Sequence, residues 1–308
     1  MGGVLAIVAP VFILIGLGAA ARHWRVLDPG GVRGITDFTF YLGLPALLFG
    51  AVVDAGQFNL LDVAVPYFAV CLTVYTLGML AALRFLRSSL AAASMTGLNA
   101  CYGNTGMLGL PLMAAAYGQD GVAVLVPVIA VHSIVLLPVA SILIEADGRR
   151  LSNPLRVLAD TVPSLLRNPI IAALAVAAAW RLLAIPVPDV LHRLIGMLSA
   201  AAPPLALFVL GASMPGMAGE FRLGETVLTV TLKLLVQPGL VWLVAHWLGF
   251  SPLQTGVAVV TAGAPTGANA FFLARRFDIS LAASAGVVVA GTALSVVTLT
   301  ILLGLLKV

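Results

Sequence analysis

Two stretches of the chain place Gly, Pro, Asn and Thr in the middle of long apolar segments, and these residues are the first candidates for chemistry. They are residues 103–111, which read GNTGMLGLP, and residues 263–274, which read GAPTGANAFFLA. Gly and Pro interrupt the hydrogen-bond ladder of a helix, and in hydrocarbon the released N–H and C=O groups are tolerated only beside protein or water. The pattern predicts two broken membrane helices whose polar ends form a binding site.

The polar ends of the two broken helices favour an anion as the ligand. If the first helix resumes near Thr105, its free N–H groups and the positive end of its dipole face the membrane centre, where they stabilise negative charge. The predicted substrate-binding residues are Asn99, Gly103, Asn104, Thr105, Gly106, Pro265, Thr266, Gly267 and Asn269. Pro45, Pro111 and Pro204 are predicted hinges or kinks, because proline lacks an N–H donor. The alternative left open is that the glycines only pack helices closely and the prolines only bend them.

Two ionisable side chains lie inside apolar segments. Lys233 is predicted to attract an anionic substrate, since an ionisable residue in the membrane is usually functional; the alternative is that it snorkels to the interface. His132 is predicted to accept a proton during transport, because histidine titrates nearest neutral pH, and a hydrogen-bonded structural histidine is the alternative. Asp54 and Asp62 flank a predicted external loop and are expected to solvate it, with pairing to Lys233 as the other possibility.

The composition is that of a polytopic membrane protein. The chain has 308 residues, 61% of them hydrophobic and 9% charged, with a mean hydropathy of +1.11, whereas soluble domains carry about 25% charged residues. The formal charge of +4 comes without a Lys/Arg-rich run, which argues against nucleic acid as a partner. The sequence has no H-E-x-x-H, G-x-S-x-G or P-loop motif and no ligand cluster with metal spacing, so no enzyme, cofactor or metal site is predicted.

With about 20 residues needed per span, the apolar segments divide into ten predicted transmembrane helices. Their ranges are 4–21, 34–53, 64–86, 90–117, 121–144, 168–183, 190–213, 225–248, 252–274 and 280–306. The first is kept as a helix, because no basic region precedes it as in a signal peptide. Lys and Arg concentrate in the loops after helices 1, 3, 5, 7 and 9. This bias predicts a protein of the inner cell membrane with both termini outside, in the periplasm.

An internal repeat supports this count. Pro10 and Pro169 are 159 positions apart, and the same offset relates Pro45 to Pro204 and Arg22 to Arg181. The offset divides the chain into repeats 1–154 and 155–308 and places residues 103–111 opposite 262–270. Because each repeat has five helices, an odd number, the second repeat is predicted to be inverted in the membrane. The fold class is therefore an all-α membrane protein with two inverted five-helix repeats and crossed broken helices 4 and 9.

The two motifs also carry a resemblance. Residues 104–112, NTGMLGLPL, resemble the fourth-helix motif of the auxin efflux carrier family, which includes plant PIN exporters and bacterial organic-acid carriers of the malonate type; residues 264–274 resemble its ninth-helix motif. The resemblance implies a fold like that of bile-acid and sodium/proton carriers, with a scaffold of helices 1, 2, 6 and 7. It also implies a transport unit of helices 3–5 and 8–10, an elevator motion and a homodimer. Lys233 would then be a fixed cation where related carriers bind sodium.

Two departures from the plant members bear on the substrate. Plant exporters usually have Pro at the position of Gly103 and a long cytosolic loop between helices 5 and 6, which here is short. The compact form resembles the bacterial branch, which implies a small carboxylate such as a dicarboxylic acid. The expected function is thus secondary transport of a small organic anion, either such a carboxylate or an auxin-like acid. The alternative is a membrane receptor or sensor that binds the same ligand without moving it. The sequence leaves the direction of transport and the coupling ion open.

Overall fold

A computed structural model describes residues 2–54, 60–147, 169–217 and 222–306 of the chain. In these ranges the regular structure is helical, apart from one isolated antiparallel bridge between Gly103 and Thr266. Part of the predicted cytoplasmic charge lies outside the described residues, namely Arg149, Arg150, Arg156 and Arg167, as does Lys307 on the opposite side.

The helices of the described ranges are labelled in chain order. They are α1 (Gly2–His23), α2 (Pro29–Val53), α3 (Leu60–Phe85), α4 (Leu90–Cys101), α5 (Thr105–Asp147), α6 (Pro169–Leu182), α7 (Asp189–Ser213), α8 (Leu223–Trp247), α9 (Pro252–Ala262), α10 (Ala268–Phe277) and α11 (Leu281–Leu305). Within the same ranges, seven of them are long and apolar enough to cross a membrane: α1, α2, α3, α5, α7, α8 and α11. The protein is therefore a multi-pass membrane protein, and the count of ten spans stays a prediction.

The two segments with Gly and Pro are the ones in which the observed helices are interrupted. Predicted helix 4 divides into α4 and the first part of α5, and predicted helix 9 divides into α9 and α10. The predicted loop between helices 4 and 5 is instead a sharp turn inside α5. Gly118 adopts φ +64° and ψ −155° there, a conformation that glycine reaches without a steric penalty.

Wide, π-type helical turns occur two residues before three of the prolines. They are Thr39–Gly43 before Pro45, Thr105–Gly109 before Pro111, and Leu232–Val236 before Pro238. A proline removes one backbone donor and its ring collides with the preceding turn, so a widened turn accommodates it. Such turns are rare and concentrate at functional sites. Pro204 differs, because α7 continues as an α-helix through Pro203 and Pro204.

Close backbone contacts between helices fix the frame around the site. Helix α1 packs on α7, and α2 packs on α6 and α7. A methyl group at Gly18 would lie 1.9 Å from the carbonyl oxygen of Phe208, and one at Gly211 would lie 1.8 Å from that of Ile15. Only glycine permits this approach of α1 and α7, in the manner of small-residue contacts between membrane helices.

Gly18→Ala is expected to lower the thermal unfolding temperature of the purified protein in detergent, because the new methyl group would collide with α7. Overpacking of this kind costs about 1–3 kcal/mol. Gly16→Ala on the same helix is the matched control, since a methyl group at Gly16 meets open space. Equal unfolding temperatures for the two variants would show that α1 and α7 separate at no cost.

Candidate functional site

The two helix breaks lie against each other and satisfy each other's backbone groups. The N–H of Asn104 donates to the carbonyl of Pro265 over 2.7 Å, and the N–H of Gly267 donates to the carbonyl of Tyr102 over 2.9 Å. These bonds flank the antiparallel bridge between Gly103 and Thr266. Polar groups released from two helices are thus paired inside the protein, which is the condition for irregular backbone at membrane depth.

The N-terminal ends of the helices that follow the two breaks line one cavity of about 80 Å³. The start of α5 contributes residues 103–107, and the start of α10 contributes residues 267–269. The other lining residues are Phe40 of α2, Tyr102, Ile129 of α5, and Ile170 and Ile171 of α6. One water molecule needs a cavity of only ~10–15 Å³, while pockets for drug-sized ligands span about 300–1,000 Å³. The cavity therefore suits an ion of a few heavy atoms.

Asn104 has the geometry of an anion donor. Its Oδ1 accepts the backbone N–H of Met107 over 3.2 Å and so caps the start of α5, which fixes the orientation of the amide. Its Nδ2 is buried and has no hydrogen-bond partner among the described residues. An unpartnered donor beside a positive helix end is a suitable place for a negative charge.

Asn269 and Tyr102 form the other polar part of the lining. The Nδ2 of Asn269 donates to the hydroxyl oxygen of Tyr102 over 3.0 Å. The ring of Tyr102 packs on that of His132, with centroids 4.4 Å apart. His132 is buried beside Tyr102 and is not part of the cavity lining, so its role as a proton acceptor stays a prediction.

Asn99, Pro265 and Thr266 lie beside the cavity without lining it. The hydroxyl of Thr266 donates to the carbonyl of Asn99 over 2.7 Å, and the Nδ2 of Asn99 donates to the hydroxyl of Ser284 over 2.8 Å. Pro265 contributes its carbonyl to the bridge with Asn104. These residues tie α4, the α9–α10 break and α11 together, so the structure assigns them to support of the breaks. Gly103, Thr105, Gly106 and Gly267 line the cavity, and their binding of a substrate stays a prediction.

Lys233 lies on the opposite side of the breaks. It is 1% exposed and donates to the carbonyl of Ala262, the last residue of α9. A methyl group at Gly103 would lie 3.5 Å from its Nζ. The ammonium group thus lies at the C-terminal ends of α4 and α9, where helix dipoles are negative, while the N-terminal ends of α5 and α10 face the cavity.

Two alternatives weighed for Lys233 do not hold. Burial rules out a side chain that snorkels to the interface. Pairing with Asp54 or Asp62 is not seen, since the ion pair within the described residues is Arg33 with Asp37. Lys233 does not line the cavity either, so it acts on an anion there only across the breaks.

Gln237 is a neighbour of Lys233 that sequence reasoning missed. Its Nε2 donates to the carbonyl of Cys101, the last residue of α4, over 3.2 Å, and lies 3.1 Å from the Sγ of Cys71. Helix α8 therefore supplies a donor to the C-terminal end of each half-helix, from Gln237 for α4 and from Lys233 for α9. The signal available in the sequence was a second polar side chain four residues after Lys233, on the same helical face.

Comparisons with known proteins agree with a transporter. A family model described as "Membrane transport protein" matches residues 4–303. A "Putative malonate transporter" of Rhizobium meliloti is 29% identical, over 100% of this chain and 97% of that protein. "Auxin efflux carrier component 8" of Arabidopsis thaliana is 21% identical over 90% of each chain. An "Uncharacterized transporter" of Methanothermobacter thermautotrophicus is 24% identical over 95% of each.

Proposed function

The chain belongs to the membrane transport protein family, that of the auxin efflux carriers, and we propose that it is a secondary carrier of a small organic anion. The family and the relatives are transporters and not enzymes. One observation carries the proposal: the starts of α5 and α10, together with the unpartnered amide donor of Asn104, line a single cavity between two broken helices.

We propose that the substrate is a small carboxylate, with a dicarboxylate of malonate size as the leading candidate. The cavity of about 80 Å³ accommodates such an ion, whereas an auxin-like acid with a fused ring system would need a larger space. Asn104 and the free N–H groups at the start of α5 would hold one carboxylate. Thr105 and the start of α10 at Asn269 would hold the rest of the molecule. A relative named for malonate supports the same class.

The proposed architecture is ten spans in two inverted repeats. The bridge joins Gly103 and Thr266, which are 163 positions apart. A shift of 163 positions also relates Asn104 to Gly267 and Tyr102 to Pro265, so the two hydrogen bonds between the breaks are equivalent under it. In addition, Gly43 contacts Ala202, its partner at the predicted offset of 159: a methyl group at Gly43 would lie 3.0 Å from the Cβ of Ala202. Contacts between equivalent residues are expected along a two-fold axis. If the bridged residues are equivalent, the offset at the breaks is 163, about one helical turn more than the predicted 159.

Movement of the substrate is proposed to follow an elevator mechanism. The cavity has one wall from α2 and α6, at Phe40, Ile170 and Ile171, and the other from the two breaks. In the proposed division, α1, α2, α6 and α7 form the scaffold, and α3–α5 and α8–α11 form the transport unit. An anion at this boundary would travel with the breaks while the apolar wall stays fixed. A homodimer in the inner cell membrane, with both termini outside, completes the proposal.

Asn104→Ala is expected to weaken binding of the anion, because the variant loses a buried side-chain donor of the lining that has no partner among the described residues. A hydrogen bond to a charged group contributes about 1.5–3 kcal/mol, which corresponds to ~10–100-fold in affinity. Asn104→Asp is the matched variant, since it keeps the cap on Met107 and replaces the donor with a negative charge. Thermal-shift and isotope-uptake measurements in proteoliposomes would compare malonate with other mono- and dicarboxylates.

The outcomes of this experiment separate the hypotheses. Uptake by the natural protein that falls in both Asn104 variants supports the carrier and its site. Binding of an acid without uptake would indicate the receptor instead. Equal affinity in the natural protein and Asn104→Ala would contradict the assignment of the site.

A further inference from the structure

Glu225 is a buried carboxylate that the anion site does not use. It lies in the first turn of α8, is 7% exposed, and is packed among α4, α8 and α11. It takes no part in the ion pair recorded for the described residues. A carboxylate taken out of water without a cation is costly, so a buried carboxylate at this place points to a function.

The partner of Glu225 is a hydroxyl group that can serve either protonation state. The Oγ1 of Thr96 on α4 lies 2.8 Å from the Oε1 of Glu225 and 3.1 Å from the carbonyl oxygen of Ala92. A threonine hydroxyl has one proton to donate and two lone pairs that accept, so it cannot donate to both oxygens at once. When Glu225 is ionised, Thr96 donates to it. When Glu225 is protonated, its O–H donates to Thr96, and Thr96 donates to Ala92.

The elements around Glu225 hold buried oxygen atoms without a partner among the described residues, and few charged groups. The Oγ1 of Thr226 and the Oδ1 of Asn99 are both buried without a hydrogen-bond partner among the described residues. Neither α4 nor α11 carries a Lys, Arg, His, Asp or Glu residue. The charged groups of the adjoining elements are Arg84 and Asp62 on α3, Arg222 before α8, Lys233 farther along α8, and Asp147, which caps the start of α4.

One turn of α4 connects the hydrogen bond between Thr96 and Glu225 to the two helix breaks. Asn99 follows Thr96 on the same helical face. The carbonyl of Asn99 accepts the hydroxyl of Thr266 in the α9–α10 break, and its Nδ2 reaches Ser284 on α11. A change of the hydrogen bond at Thr96 is therefore one helical turn from the bridge that shapes the anion cavity.

We propose that Glu225 and Thr96 form the proton-binding site of the carrier, so that one proton crosses the membrane with the anion. This inference rests on the proposed carrier function. Loading adds a proton to one carboxylate oxygen of Glu225 and turns the Thr96 hydroxyl toward Ala92, and release reverses both changes. The bound proton cancels one negative charge of the substrate-loaded transport unit, which lowers the electrostatic cost of moving that unit through the membrane.

The first test needs no substrate. Infrared difference spectra between acid and alkaline pH are recorded on the full chain in liposomes. The natural protein is expected to show a protonated-carboxyl band that disappears in Glu225→Gln, shifts in Thr96→Val and returns in Thr96→Ser. Asp37→Asn is the control, because Asp37 is an exposed carboxylate that pairs with Arg33. An unchanged spectrum in Glu225→Gln would overturn the proposal, even if the protein proves to be a carrier.

The second test measures coupling with malonate as the probe. One pH unit across the membrane drives about tenfold accumulation for each proton carried along. Accumulation driven by an imposed pH gradient is expected in the natural protein and in Thr96→Ser, and it is expected to be lost in Glu225→Gln. Accumulation by Glu225→Gln that follows the pH gradient, or uptake that responds to a sodium gradient alone, would overturn the proposal. If the natural protein moves no acid, the carrier function fails and the spectra still decide whether Glu225 binds a proton.

Discussion

Gly267→Val is expected to abolish uptake, because it separates the two helix breaks. A Cβ atom at this position would lie 3.1 Å from the carbonyl oxygen of Gly103 and 3.2 Å from ring atoms of Tyr102. The two further methyl groups of valine would displace the start of α10 and lengthen the bond from the Gly267 N–H to the Tyr102 carbonyl. Overpacking costs about 1–3 kcal/mol, and each buried backbone group left unpaired costs about 1–3 kcal/mol more.

A graded series makes this prediction specific. Gly267→Ala is expected to reduce uptake less than Gly267→Val, and both are expected to lower the thermal unfolding temperature. Gly291→Ala is the matched control, since a methyl group there would make an ordinary contact of 3.7 Å with Pro265 at the same break. Uptake by Gly267→Val at the level of Gly291→Ala, with an unchanged unfolding temperature, would show that close approach of the breaks is not required.

The breaks could be predicted from the sequence because their cause is local. Gly103, Pro265 and Gly267 interrupt helices through their own backbone chemistry, and an apolar surrounding makes such residues conspicuous. Asn104 and Lys233 stood out for the same reason, as polar groups in hydrophobic runs. The turn at Gly118 was predicted as a short loop, and its single glycine proved sufficient.

The rest of the site depends on tertiary contacts, which cannot be predicted from the sequence of any one segment. Phe40, Ile170 and Ile171 are ordinary apolar residues, and only the packing of α2 and α6 brings them to the cavity. The bond between Asn269 and Tyr102 joins residues 167 positions apart. Asn99 was predicted to bind substrate, but its side chain is directed to α11.

The predicted repeat illustrates a second limit of prediction from the sequence. A single offset of 159 was predicted from prolines and other matching residues, and the contact of Gly43 with Ala202 joins two residues at this offset. The bridged residues at the breaks are 163 positions apart, which in the proposed repeat corresponds to about one more helical turn in the second half. Pro238 follows a wide turn in α8 that contains Lys233, and it was missed because it has no proline partner at the offset and lies outside the two predicted breaks.

Lys233→Met is expected to eliminate uptake and to lower the thermal unfolding temperature, because it removes both a charge and a hydrogen bond. The carbonyl of Ala262 would be left buried without a donor, which costs about 1–3 kcal/mol. The negative ends of α4 and α9 would lose their counter-charge, worth up to about 2 kcal/mol for a helix end in a favourable partly buried site. Repulsion between these ends would then extend to the breaks and disturb the cavity on their other side.

Two further variants separate the charge from the hydrogen bond. Lys233→Gln retains an N–H donor for Ala262 without the positive charge, so it should recover stability while uptake stays low. Gln237→Met removes the neutral donor from Cys101 at the end of α4 and keeps the charge, so it should lower stability while uptake persists. These opposite patterns follow only if the cation of Lys233 balances two helix dipoles. If Lys233→Gln restored uptake in full, its N–H would be sufficient and the charge would have no part in transport.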